Sequence, residues 1–144
     1  MGFEIEGFTE LVNDLLEMAR ALGEDSPEVE QALQAGAKPI YDQMKTNAST
    51  DPKIRTGRLH ESIRIGRVKA RRRYSGKSIT IGVSYTGGAK APHAHLVEFG
   101  HAGPKPESRP TPPHPFVRPA FDTQKDAAYG EIRKRLNHAL SIRR

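Results

Sequence analysis

No cysteine occurs among the 144 residues. That removes a disulfide framework, a thiolate metal site and a cysteine nucleophile at once, and is compatible with folding in a reducing cytoplasm. No apolar run approaches the ~18–20 residues of a membrane-spanning helix, so no membrane partner is expected. The first residues, Phe3-Glu4-Ile5-Glu6, are short and acidic and do not read as a signal peptide. His-Glu-x-x-His, the Gly-x-Ser-x-Gly elbow, the Walker phosphate loop and the dinucleotide fingerprint are all missing. The expectation is therefore a protein without catalytic residues, bound metal or cofactor.

What is present fits one domain spanning residues 1–144, with 35% hydrophobic and 28% charged residues. The net charge of +6 hides a segregation. Residues 1–37 hold nine acids against one base, Arg20; residues 38–144 hold 22 bases against 8 acids. Such polarity suits either solvated faces of opposite sign or docking of one face on another, and a basic face can also meet nucleic acid.

Phe8, Leu11, Val12, Leu15, Leu16, Ala19 and Leu22 recur at helical spacing, with Thr9 as a cap and Gly23 as a stop. Ser26-Pro27 opens a second helix with the stripe Val29, Leu33, Ala37, Ile40, Tyr41 and Met44. Pro39 within that stripe is expected to kink or split it. Residues 47–52 read as a polar loop. Ile63 and Ile65 alternate with polar neighbours; after Gly66 the phase shifts to Val68 and Ala70, as at a bulge. Ile79, Ile81, Val83 and Tyr85 give the returning strand, with a tip at 74–77. Residues 94–99 suit either a short strand or a helical turn. Seven of the eleven prolines fall between Ala102 and Pro119, which predicts an extended Pro-rich arm at about 102–118. A last helix begins near Pro119 with the stripe Phe121, Ala128, Ile132, Leu136, Ala139 and Leu140. The fold class is α+β: N-terminal helices, an antiparallel sheet built on a central basic hairpin, and a C-terminal helix packed on the sheet.

With Ile63 and Ile65 facing in, Ser62 and Arg64 face out, followed by Arg67, Lys69 and Arg71. Arg72, Arg73 and Lys77 extend this positive row to the tip. Opposite it stand Ser78, Thr80, Gly82 and Ser84. Two readings stay open: a charged face that discourages edge-to-edge pairing, or phosphate contact without base readout. Tyr74 alone is too little aromatic surface for single-strand stacking. His93 and His95 lie two apart, with His101 and His114 nearby, but no Asp or Cys completes a familiar metal set. Glu98 with Asp122, and Ser62 with His60, do not form a catalytic arrangement.

Three short blocks occur in order. They are Thr56, Gly57, Leu59, Ser62 and Ile63; then Glu98, Phe99 and Gly100; then Pro115, Phe116, Pro119 and Ala120. In the first, Gly57 supplies a positive φ and Leu59 and Ile63 anchor the first strand. In the third, Phe116 and Phe121 bury aromatic bulk at the entry to a helix. Together, over about residues 5–142, the blocks resemble the neck or tail-completion proteins of long-tailed double-stranded DNA phages. His101 stands where such proteins often have Thr, and His93 or His95 where a Tyr is common. The resemblance implies a structural virion protein that joins or completes the tail at the head–tail connector. It implies copies of itself in a ring, connector and tail proteins as partners, and phage DNA passing non-specifically through the channel. It implies residence in the virion after assembly in the host cytoplasm, and it carries over no catalytic residue. On that basis Arg64, Arg67, Lys69, Arg71, Arg72, Arg73 and Lys77 become candidates to face the DNA. The alternative is a sequence-independent nucleic-acid-binding protein.

Overall fold

The computed structural model describes residues 8–50, 57–70, 76–88, 90–103 and 105–143. Helix α1 (Phe8–Leu22) turns into α2 (Pro27–Ser49). A five-residue helix, α3 (Arg58–Ser62), leads to strands β1 (Ile63–Ile65), β2 (Lys69–Ala70), β3 (Lys77–Ser78) and β4 (Ile81–Val83). The short α4 (Ala94–Phe99) and the long α5 (Val117–Ile142) complete the chain. The α+β class is as expected, with helices carrying most of the mass.

The helices form because their apolar positions recur on one face and their ends are marked. Gly23, at φ +92°, takes a conformation that side chains disfavour, and its N–H donates to the Arg20 carbonyl at 3.1 Å. Thr9, expected to cap α1, lies within its first turn. Pro27 occupies the first turn of α2, where its missing N–H leaves no helical bond unmade. Pro39 neither splits nor ends α2, which runs through it. The fixed proline φ suits a helix, and packing of α2 along α5 offsets the one backbone bond lost. The expected 47–52 loop is shorter at its start, because α2 continues to Ser49. Asn47 there donates through Nδ2 to the Phe116 carbonyl at 3.2 Å.

Helix α5 lies antiparallel to α2 along most of its length. Asn47 meets Phe116, Gln43 meets Gln124 at 3.3 Å, and Gly36 meets Ala128 and Ile132. At Gly36 the two helices approach closely. A Cβ there would overlap the Ile132 side chain and stand 3.0 Å from the Ala128 carbonyl oxygen. Helix α1 lies antiparallel to the C-terminal half of α5, since Asp14 faces Arg133 at 3.9 Å and the Leu22 carbonyl accepts from Arg143 at 2.8 Å. Two apolar clusters result. Leu15, Leu22, Val29, Ala32 and Leu136 hold α1, α2 and α5 together. Met44, Ala48, Leu59, Ile63, Ala91, Ala94, Phe116 and Ala120 join the other end of α2 to the strands, α4 and the start of α5. The C-terminal helix thus meets the sheet's cluster through its first turns and rests mainly on α2.

The hairpin is interrupted. β1 pairs with β4 in the register Ile63↔Val83, Arg64↔Gly82, Ile65↔Ile81, and β2 with β3 in the register Lys69↔Ser78, Ala70↔Lys77. Between the ladders, the Gly66 N–H donates to Thr80 O at 2.7 Å, at the expected phase shift. The tip residues 74 and 75 lie outside the described residues. Three inward or outward assignments need correction. Ser62 is fully buried rather than outward: it ends α3, and its hydroxyl donates to the Leu59 carbonyl at 2.6 Å. Gly57, with the positive φ expected of it (+64°), starts that helical turn. Phe121 is 45% exposed and does not share the core of Phe116 and Leu59; Ala120 takes the buried position. Tyr85, at the end of the returning strand, is exposed.

Phe116 is 1% exposed and is the largest side chain of its cluster. Phe116→Ala is expected to cost about 3–5 kcal/mol, a large share of a typical stability of roughly 5–15 kcal/mol. It should yield insoluble or partly unfolded protein; a melting curve like the parent's would contradict the packing described. At the α2–α5 crossing, Gly36→Val should cost about 1–3 kcal/mol by overpacking. Gly36→Ala should cost less, because alanine returns up to about 1 kcal/mol of helix propensity. Denaturant midpoints of the two variants test the ranking.

Candidate functional site: a carboxylate clasp and a basic strand face

Helix α5 has no capping side chain of its own. Phe116 stands at its N-cap and makes no side-chain cap bond. The orphan amides of the first turn are met from another element. Glu98, near the end of α4, accepts from Phe116 N at 2.7 Å and Val117 N at 3.1 Å through Oε2, and from Arg118 N at 3.3 Å through Oε1. A carboxylate at the positive end of a 26-residue helix gains from both the bonds and the helix dipole. Gly100 then turns the chain at φ +71°, ψ 174°, a conformation reserved for glycine. A Cβ at that position would be 2.6 Å from the Thr111 carbonyl oxygen.

The Pro-rich segment, expected to run as an extended loop or arm, is a loop closed at its base. His101 and Thr111 exchange backbone bonds at 3.1 and 2.8 Å, and the His114 N–H donates to Val97 O at 2.7 Å. Proline limits bonding to few amides; the two that pair at 101 and 111 are enough to close the loop. Lys105, Pro106, Glu107, Arg109 and Pro110 form its exposed rim.

The three sequence blocks meet here. Leu59, Ile63, Phe116 and Ala120 share one apolar cluster, and Glu98 bonds the first turn of α5. Gly57 starts α3, Ser62 is sealed beneath β1, Pro115 is exposed, and Pro119 is half-buried. Phe99, by contrast, is 78% exposed. Thr56 lies outside the described residues. The role of Glu98 was missed in the sequence, although a signal existed: the last helix begins without Ser, Thr, Asp or Asn at its cap, so an acid had to come from elsewhere.

Arg64, Arg67 and Lys69 are exposed as expected. Arg64 lies opposite Gly82 and Lys69 opposite Ser78. Arg64 donates to the Glu61 carbonyl at 2.7 Å. Among the described residues none of the three bases forms an ion pair. Lys77 leaves the row. Its side chain is 7% exposed, bonded to Glu30 Oε1 at 2.6 Å and to the Asp25 carbonyl at 3.0 Å. The acidic α1–α2 corner attracts it inward. Arg71, Arg72 and Arg73 lie outside the described residues.

The segregated charges are partly paired within the chain. Besides Lys77–Glu30, Arg133 faces Asp14 at 3.9 Å and Arg143 faces Glu28 at 3.1 Å. The Glu28 carboxyl is held below its ordinary range, first by a backbone amide at the start of α2 and then by Arg143. Glu10, Glu17 and Asp25 stay exposed.

His93, His95 and His101 are exposed and His114 half-buried. Among the described residues no three His, Cys, Asp or Glu side chains gather as a metal site. Glu98 serves α5, whereas Asp122 faces Arg118 on the surface at 4.0 Å. The Ser62 hydroxyl is committed to a carbonyl and does not face His60's ring as a nucleophile would. No helix among the described residues is long and apolar enough to cross a membrane.

The described residues thus form a small α+β domain in which the sequence blocks knot α4, the strands and a terminal helix, with Arg64, Arg67 and Lys69 exposed. The family described as "Bacteriophage HK97-gp10, putative tail-component" matches residues 10–100. The chain belongs to this HK97 gp10-like family, and its role is that of a structural component of the phage tail. No curated protein and no solved structure gave a match.

Glu98→Ala should lower stability by about 1–2 kcal/mol, the scale of a lost helix cap, and leave the Phe116 amide without its partner. Glu98→Gln keeps an acceptor but loses the charge, and should fall between the two. Thermal melts of the three proteins test the order; an unchanged Glu98→Ala would remove the clasp from the account.

Proposed function

We infer that this tail component sits at the neck, where it joins or completes the tail at the head–tail connector. Several copies form a ring around the DNA path, in contact with connector and tail proteins. The observation that carries the reading is the strand face of Arg64, Arg67 and Lys69, exposed, opposite Gly82 and Ser78, and without acidic partners among the described residues. A channel for DNA of any sequence needs phosphate contacts that are weak, screened and free of base readout. Bases set among small neutral side chains supply that chemistry. A protein interface of this charge would be expected to interleave aromatics or acids.

Ring closure needs two different surfaces that meet head to tail. The exposed acids of α1 and the exposed rim of the 101–111 loop are available for such contacts. The same basic row also supports the second reading, a sequence-independent nucleic-acid-binding protein. Salt-dependent binding of random duplex DNA by the isolated monomer favours that reading, and co-purification with virions the first.

Reversing Arg67 and Lys69 to Glu should leave rings intact by electron microscopy but reduce DNA retention or passage. Collapse of the rings, with rescue by Glu→Lys changes in residues 10–30, would instead make the row a subunit contact. Replacing Lys105–Pro110 by Gly and Ser, with the His101–Thr111 bridge kept, should leave circular dichroism and melting unchanged while blocking particle assembly. Normal assembly of that variant would rule out the loop as a partner contact.

A further inference from the structure

Among the described residues β1 and β4 pair only with each other, so each has a second edge. The register fixes which backbone groups point to it. Arg64 pairs with Gly82, the Gly66 N–H donates to Thr80 O at 2.7 Å, and the Ser84 N–H donates to Ser62 O at 2.8 Å. Positions 80, 82 and 84 thus face β1. In an antiparallel ladder the residues between them turn their N–H and C=O the other way. These are Ile81 and Val83, and no hydrogen bond meets their backbone groups among the described residues. Ile63 turns to the opposite edge in the same manner but is fully buried, whereas Ile81 and Val83 are half-buried.

A groove of about 450 Å³ adjoins β4. Ile79 and Ile81 line it from the returning strand, and no residue of β1 does. Met44 of α2 and Val117 and Phe121 of α5 also line it, and its surface is mainly apolar. Val117 and Phe121 are exposed. Lys125 is the one ionised side chain of the lining. It is half-buried and forms no ion pair among the described residues.

The unpaired edge and the apolar lining suit one kind of occupant. An extended segment can bond the edge through its backbone, and its alternate side chains then fall on the face used by Ile81. A cation among apolar side chains favours an acid on that segment. A second copy of this chain fits poorly. Its β2 is basic, its residues 84–88 carry no acid, and its residues 105–110 include two prolines, which lack the N–H that a ladder needs. The chain is a component of the phage tail, so other tail proteins are its neighbours.

We propose that an extended segment of another tail protein adds a strand to the free edge of β4, its alternate apolar side chains entering the groove and an acid meeting Lys125. The inference rests on the tail-component family, and not on the neck position or on DNA contact.

Amide hydrogen exchange of the full-length chain, alone and in assembled particles, tests it. Ile81 and Val83 should exchange several-fold more slowly in particles, while Ser84, already bonded to Ser62, changes less. Equal rates in the two states would overturn the proposal. So would slow exchange in the isolated monomer, or protection that rises with chain concentration as dimers form. A short synthetic peptide of alternating Ile and Thr with one Glu in an Ile position, added to the isolated chain, should protect the same two amides. N-methylation of its edge-facing amides, or Lys125→Glu in the protein, should weaken its binding about tenfold. Undiminished binding of the N-methylated peptide would show apolar adsorption without strand addition and overturn the proposal.

Discussion

The interaction on which the rest of the structure depends is the carboxylate of Glu98 on the first amides of α5. A helix of 26 residues ends in unsatisfied N–H groups that must be met by water or by an acceptor. Here they start at Phe116, whose side chain is buried, and the Phe116 amide itself is partly shielded from water. Glu98 meets three of them and ties α4 to α5. Asn47 takes the Phe116 carbonyl from the other side, tying the end of α2 to the same point. Around this knot the apolar cluster of Met44, Leu59, Ile63 and Phe116 closes. Gly100, which follows Glu98 and Phe99, turns the chain at a positive φ close against the backbone of Thr111 and Pro113.

Charge follows a related logic. The N-terminal part of the chain is acidic and the rest basic, and the fold uses a share of that contrast internally. Lys77 crosses from the hairpin to Glu30 and the Asp25 carbonyl, and Arg143 and Arg133 reach back to Glu28 and Asp14. Partly exposed pairs of this kind are individually worth little, about 0–1 kcal/mol. Their larger effect is on what stays unpaired. Arg64, Arg67 and Lys69 stay exposed and outside these pairs among the described residues.

Much of the architecture was legible in the amino-acid order. The two N-terminal helices, the phase shift at Gly66, the positive φ at Gly57 and the outward Arg64 and Lys69 follow from periodicity and from glycine's freedom. The misreadings share a cause: each depends on a partner distant in sequence. Ser62 was placed outward by alternation, but a turn of helix before the strand buries it. Phe121 was placed inward because it is large and apolar; the helix phase set by Phe116 and Ala120 turns it out. Lys77 continued a basic row on paper, yet an acid 47 residues earlier draws it in.

The sequence by itself determined the elements and the class of protein: helical stripes, strand alternation, a positive strand face, and three blocks in the order of phage tail proteins. These are properties of neighbours along the chain, where spacing alone decides which side chains share a face. Only the tertiary structure decided which of them meet. It made Glu98 a helix cap, Gly36 a helix crossing, and the proline segment a loop closed at its base. Hydrogen bonds and close packing between distant segments settle such roles, because a buried amide or a crowded crossing selects its partner by position in space and not by distance along the chain.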